Sequence, residues 1–228
     1  MSRRGKTLRL LGLAGLVVAT LLLGRAGQAE LCNGPRSHVG SLPAIPFLRV
    51  AALGYREAMA DLAWMQAVQY YGEHRQGGND LSEFGYYVTA VNALDPRYEH
   101  AYILGAMVLA TDGNNLPDGL ELLRRGARAN PDSYALPFEM GFLNYIAGGS
   151  SEASLRYFGL AGQYPAGRDR ALRFQAFLNR KLGRVQTAWL LWNDVYQHTD
   201  NPSLKIVAAE NLRKLEAAMR RRGQGGRS

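Results

Sequence analysis

DSYALPFEMGFLNYIAGGSSEASLRYFGLAGQYP, from Asp132 to Pro165, decides the fold. Phe138, Phe142, Tyr145 and Ile146 fall at helical spacing before the turn Gly148-Gly149-Ser150. Ala153, Leu155, Tyr157, Phe158 and Ala161 do the same after it. This periodicity predicts a helix, a tight turn and a second helix. Pro165 stops the second helix, because its ring and missing N–H cannot continue one. Gly141 and Ala153, twelve residues apart, are small enough for the two backbones to approach closely, with Tyr157 filling the space beside them.

The frame recurs on both sides. Downstream, Ala176 is followed by Ala188, Trp192 and Pro202. Upstream, Gly105 is followed by Gly119, Leu123 and Pro131, each two residues late, with the extra residues in the loop Asp112-Gly113-Asn114-Asn115. Earlier still, Gly72 leads to Phe84, Val88 and Pro96, and the bulky Phe84 stands where a small residue is expected. Pro96, Pro131, Pro165 and Pro202 are 35, 34 and 37 residues apart. Paired helices at a period near 34 mark a helical repeat array, in which each unit buries its apolar face only against its neighbours.

The spacing and residue types from Gly54 to Pro202 resemble the tetratricopeptide repeat family. The resemblance implies an all-α, tetratricopeptide-like array of about three to four helical hairpins. It also implies a mode of work, in which the first helix of each pair lines a concave face that holds a partner segment. Counted from Gly72, Gly105, Gly141 and Ala176, that face presents Gln69, Glu73, Tyr102, Leu109, Phe138, Phe142, Tyr145, Arg173, Phe177 and Arg180. Aromatic residues in the middle, with Arg173, Arg180 and Lys181 at one end, suit an extended or helical protein segment that carries acidic groups. Packing between adjacent repeats is the competing use of Phe138, Phe142 and Phe177.

Two ends flank the array. Residues 1–29 begin with Arg3, Arg4, Lys6 and Arg9, continue as the uncharged run Leu10 to Gly24, and close with Gly27-Gln28-Ala29. A secretory signal peptide has this order, with small residues where a signal peptidase cuts. A retained membrane anchor is the rival, although fifteen residues is short of the roughly 20 that span a bilayer. In both cases the basic residues precede the apolar run, so the remainder is expected to be exported. Residues 30–46, with Gly34, Pro35, Gly40, Pro43 and Pro46, are expected to be a linker. The helical domain is expected over 47–222. Its last helix, from Ser203, presents Ile206, Ala209, Leu212, Leu215 and Met219 on one face and suits a terminal cap. Residues 223–228 are expected to be a disordered tail.

Charge and chemistry narrow the function. The chain has 27 Lys and Arg against 19 Asp and Glu, a formal charge of +8. Five of the basic residues lie in 1–29 and four in 220–228, which leaves 18 against 19 between them. A nucleic-acid reader carries its basic patch on the folded body, so nucleic acid is not an expected partner. Cys32 is the only cysteine, which excludes an intramolecular disulfide. Leu31 and Glu30 do not fit a lipoprotein site before it. His38, His74, His100 and His198 have no metal-pair spacing, and no phosphate loop or nucleophile motif is present. Asp112 opens a four-residue likeness to a calcium loop, but the twelfth position is Leu123 instead of the glutamate such loops need. No cofactor is expected. The expected function is a non-catalytic adaptor for a protein partner on the outer side of the membrane, within an envelope assembly or secretion complex. A soluble periplasmic chaperone-like protein and a helical enzyme acting on wall glycan with a single glutamate are the alternatives.

Overall fold

The computed structural model describes residues 42–77, 81 and 83–225. The signal or anchor segment, Cys32 and His38 lie outside the described residues. All the helices named below belong to one compact unit that begins at Pro43. Among the described residues the fold is all-helical, with ten α-helices and no strand. In order they are α1 (Ile45–Ala51), α2 (Arg56–Gly77), α3 (Phe84–Leu94), α4 (Glu99–Thr111) and α5 (Leu116–Ala129), then α6 (Ala135–Ile146), α7 (Ser151–Ala161), α8 (Arg168–Lys181), α9 (Val185–His198) and α10 (Pro202–Gly225). From α2 onward each helix packs most closely on a chain neighbour, giving the pairs α2/α3, α4/α5, α6/α7 and α8/α9, with α10 laid against α9, whereas α1 rests on α3.

Capping residues set where these helices begin. The Asn115 side chain accepts from the Asp118 N–H, and the Ser150 hydroxyl accepts from the Ala153 N–H. Asn201 Oδ1 accepts from the N–H groups of Ser203 and Leu204. Ser133 Oγ accepts from the Leu136 N–H, as its place after Pro131 predicts. The break between α1 and α2 is made by Leu53 and Gly54, at φ 48° and 94°. Both φ values are left-handed, which a helix cannot absorb, so the helical pattern that begins near Phe47 divides there. In contrast, α2 continues without a break through His74 and Arg75 to Gly77. His74 stacks on Tyr70 at 3.9 Å, and Arg75 and Tyr71 both bind Asp112, so the last turns are held from the side.

Contacts between pairs repeat along the chain. Trp64 meets Tyr98, and the Asn130 amide donates to the Pro96 carbonyl. The Tyr164 hydroxyl donates to the Pro131 carbonyl, Arg184 pairs with Glu152, and the Thr199 hydroxyl donates to Asp169. The hydrogen-bonded examples span 30 to 34 residues. Equivalent places in successive pairs therefore touch, and the proline joints hydrogen-bond to one another.

Small residues close the pairs, at positions partly different from those the sequence suggests. A Cβ on Gly141 would lie 2.8 Å from two ring carbons of Phe158 and 3.1 Å from the Ser154 carbonyl. The buried face of α7 is thus Ser154, Phe158 and Ala161, all 0% exposed. Ala153 and Tyr157 fall one residue aside, and Tyr157 instead receives a hydrogen bond from Arg124. The cap at Ser150 sets the start of α7 and so its rotation. In the last pair the expected frame holds, with Ala176, Ala188, Trp192 and Val195 buried together.

The first pair differs most. Gly72 is exposed, and a Cβ there would meet nothing within 4 Å. Ala60, Ala63, Ala67 and Tyr70 form the buried face of α2. The apolar series Ala58, Leu62, Met65 and Val68 faces solvent instead, with Met65 62% exposed. Three alanines let α3 come close, and the larger side chains are left outside. The face of α10 is also rotated from expectation. Leu204, Ala208, Leu212 and Leu215 pack into the core, whereas Ile206 is 64% exposed.

Candidate functional site

The centre of the molecule is aromatic. Phe138 and Phe158 are fully buried, with ring centroids 5.1 Å apart, and Phe174 lies 5.1 Å from the first and 5.3 Å from the second. Edge-to-face and tilted contacts of this kind add about 0.5–1.5 kcal/mol per pair beyond the area they bury. From this core the rings continue outward as a ladder between α6 and α8. Phe142 meets Phe174 edge-on at 5.9 Å, and Tyr145 meets Phe177 edge-on at 5.7 Å. The steps 142 to 174 and 145 to 177 are equal, so the two first helices run in the same direction with a constant offset. Rings make this contact more than backbones do, since α6 and α8 share fewer close residues than α4 and α6.

Cations border the ladder. The Arg170 guanidinium lies 3.8 Å above the Phe138 ring and pairs with Glu139 at 3.3 Å. Burial pushes the Glu139 carboxyl above its ordinary pKa, and Arg170 partly offsets that rise. The Lys181 ammonium sits 4.9 Å from the Tyr145 ring centre. Arg173, Phe177 and Arg180 recur at i, i+4 and i+7 on the exposed face of α8, with Phe177 46% exposed. The result is a partly exposed aromatic strip beside several positive charges. It can hold an apolar side chain by packing and an acidic one by charge, which is the composition of a binding hot spot.

The ten residues expected on the binding face are divided by the structure. Phe142, Tyr145, Arg173, Phe177 and Arg180 belong to the strip or to the helix that carries it. Phe138 lies beneath the strip, completely buried, and serves the core. Tyr102 is 5% exposed, pressed against Gly126 where a Cβ would come within 2.7 Å of its ring. Neither has a surface to offer. Gln69 and Glu73 are exposed on α2, where no contact links them to the strip. Leu109 is half-buried and lines a separate groove of about 590 Å³ with Asp112, Asp118 and Glu121. In that groove Asp112 is engaged by Tyr71 and Arg75, and Glu121 by Arg124 and Arg128. The Asp112 bond holds the Tyr71 hydroxyl above its ordinary pKa.

Sequence spacing did not point to Phe174 or Arg170. Both lie on the same helix as Phe177, three and seven residues earlier, so counting helical neighbours of Phe177 would have found them. Among the described residues no cluster of three or more His, Cys, Asp or Glu could hold a metal, and no helix is long and apolar enough to cross a membrane. Asp61, exposed on α2, interacts with the Tyr98 hydroxyl beside the Trp64–Tyr98 contact. Set against known proteins, the chain matches no protein-family model and no curated sequence.

Proposed function

We propose that this protein is a tetratricopeptide-like adaptor that binds a segment of a protein partner along the aromatic strip of α6 and α8. The observation that carries the proposal is the ladder Phe142–Phe174 and Tyr145–Phe177, edged by Arg173, Arg180 and Lys181. Its support at the level of fold is the set of contacts at 30 to 34 residues, which is what an array of hairpins with a 34-residue period would produce. Non-obligate interfaces draw most of their binding free energy from a few aromatic and arginine residues. The adaptor acts without catalysis, on the outer side of the cytoplasmic membrane, as one component of an envelope assembly or secretion complex. The basic-then-apolar order of residues 3–24 motivates that location.

Phe177→Glu tests the proposal. The ring is 46% exposed, so its replacement disturbs the surface more than the core. Affinity purification of the full chain from its native host is expected to lose the co-purifying partner by about tenfold or more, the scale of a lost hot spot. Leu190→Glu, at a residue 57% exposed on α9, is expected to retain it. Equal recovery with the Phe177 variant and the unaltered protein would remove the strip as the binding surface.

A further inference from the structure

One turn beyond Phe177 on α8, Arg180 forms the wall of a second feature. A pocket of about 760 Å³ opens between the C-terminal end of α8 and the face of α10. Its charged lining is Arg180, Arg213, Lys214 and Arg221, and Val185 and Leu215 contribute apolar surface. Among the described residues no acidic side chain lines it. Arg213 and Arg221 are eight residues apart on α10, about two turns, so both project from one side of that helix.

The cations of this pocket differ from the ion-paired arginines elsewhere in the molecule. Arg97, Arg124, Arg128, Arg168, Arg170 and Arg184 each have a carboxylate partner. Among the described residues Arg180, Arg213 and Lys214 form no ion pair. Arg221 donates only to the Ala217 carbonyl of its own helix. Glu216, which lines the adjoining pocket with Arg213 and Arg221, accepts from the Trp189 indole N–H at 3.2 Å. Four like charges held around one concavity repel each other, and an anion entering it relieves that repulsion.

We propose that this pocket receives acidic side chains of the partner segment whose apolar residues lie on the aromatic strip. The inference rests on the strip being a binding surface and adds where the acidic groups of its ligand are received. Continuity argues for one ligand across both features. Arg180 borders the pocket and lies three residues from Phe177, so a single extended segment spans the two. Charge distribution argues for an acidic protein segment over nucleic acid. Beyond residue 29 the chain carries 22 basic against 19 acidic side chains, so the pocket is a local positive site on a nearly neutral body. Apolar Val185 and Leu215 in the lining suit a peptide with mixed side chains better than a bare polyanion.

A random peptide library displayed on phage and selected against the full-length protein tests this directly. The unaltered protein is expected to enrich sequences with Asp or Glu near an aromatic or branched apolar residue. Binding of an enriched peptide is expected to weaken as salt rises and to fall by about tenfold or more in Arg180→Glu/Arg213→Glu. Arg213→Gln/Lys214→Gln, which removes charge without reversing it, is expected to weaken binding less, and circular dichroism checks that each variant is folded. Enriched peptides without excess acid, or acidic peptides indifferent to both pairs of substitutions, would overturn the pocket. If such peptides are still lost in Phe177→Glu, the strip stands and the pocket alone falls. Peptides indifferent to all the variants would overturn both. Phosphatidylglycerol vesicles and single-stranded DNA serve as competing probes. Loss of either in the charge-reversed variant, with peptide binding intact, would assign the pocket to that polyanion and reject the acidic segment.

Discussion

Phe158→Ala is expected to destabilise the protein by about 3–5 kcal/mol, the range for removing a phenyl ring from a well-packed core. The ring is 0% exposed and touches both Phe138 and Phe174. It also lies against Gly141, so it links α7 to α6 on one side and to α8 on the other. In an array each pair is stabilised by its neighbours, and loss of this ring weakens two interfaces at once. Denaturant unfolding followed by circular dichroism measures the loss. A change below about 1 kcal/mol would mean that neighbouring side chains collapse into the space, and that α6, α7 and α8 are held by other contacts.

Gly141→Val is the complementary experiment, in which atoms are added at the same contact. The new Cβ would be 2.8 Å from the Phe158 ring and 3.1 Å from a backbone oxygen, and neither neighbour is a flexible chain end. Overpacking of this kind costs about 1–3 kcal/mol and sometimes more, and a rigid backbone neighbour places the expected value at the upper end. Gly159 on α7 provides the contrast, because a Cβ there meets nothing within 4 Å. Gly159→Ala is expected to stabilise by roughly 0.5–1 kcal/mol through helix propensity alone. Paired unfolding curves read both effects. Equal and small changes at the two positions would contradict the close approach of α6 and α7.

The helix pairs were legible in the sequence because prolines and glycines punctuate them. Pro131, Pro165 and Pro202 each fall at a joint between pairs, and Gly148 supplies the left-handed turn between α6 and α7 at φ 75°. The buried face was not legible wherever a helix is apolar on more than one side. In α2 both Ala60-Ala63-Ala67 and Leu62-Met65-Val68 are periodic. The alanines take the core because they permit close backbone approach, which a ranking by hydrophobicity misses. Tyr157 and Phe158 pose the same choice, decided by where Ser150 caps the helix.

The candidate site divides along similar lines. Phe142, Tyr145 and Phe177 could be counted from Gly141 and Ala176 because the strip repeats with the array. Tyr102 and Phe138 satisfy the same count and yet are buried, because their rings pack on the second helix of their own pair, Tyr102 against Gly126 and Phe138 against Phe158. The basic pocket had no local signal. Arg213 and Lys214 read as ordinary solvated charges until α10 is seen to bring them beside Arg180, 33 residues earlier.

The most direct test of the central claim is photo-crosslinking from the strip itself. A photoreactive phenylalanine analogue at position 177, in the full chain made in its native host, replaces an aromatic ring with one of similar shape. The same analogue at position 190 reports on an exposed part of α9 outside the strip. Illumination is expected to give a discrete protein adduct from position 177 and none from position 190. Adducts from position 190 alone, or from neither position, would contradict the assignment of the α6–α8 strip as the surface that holds a partner.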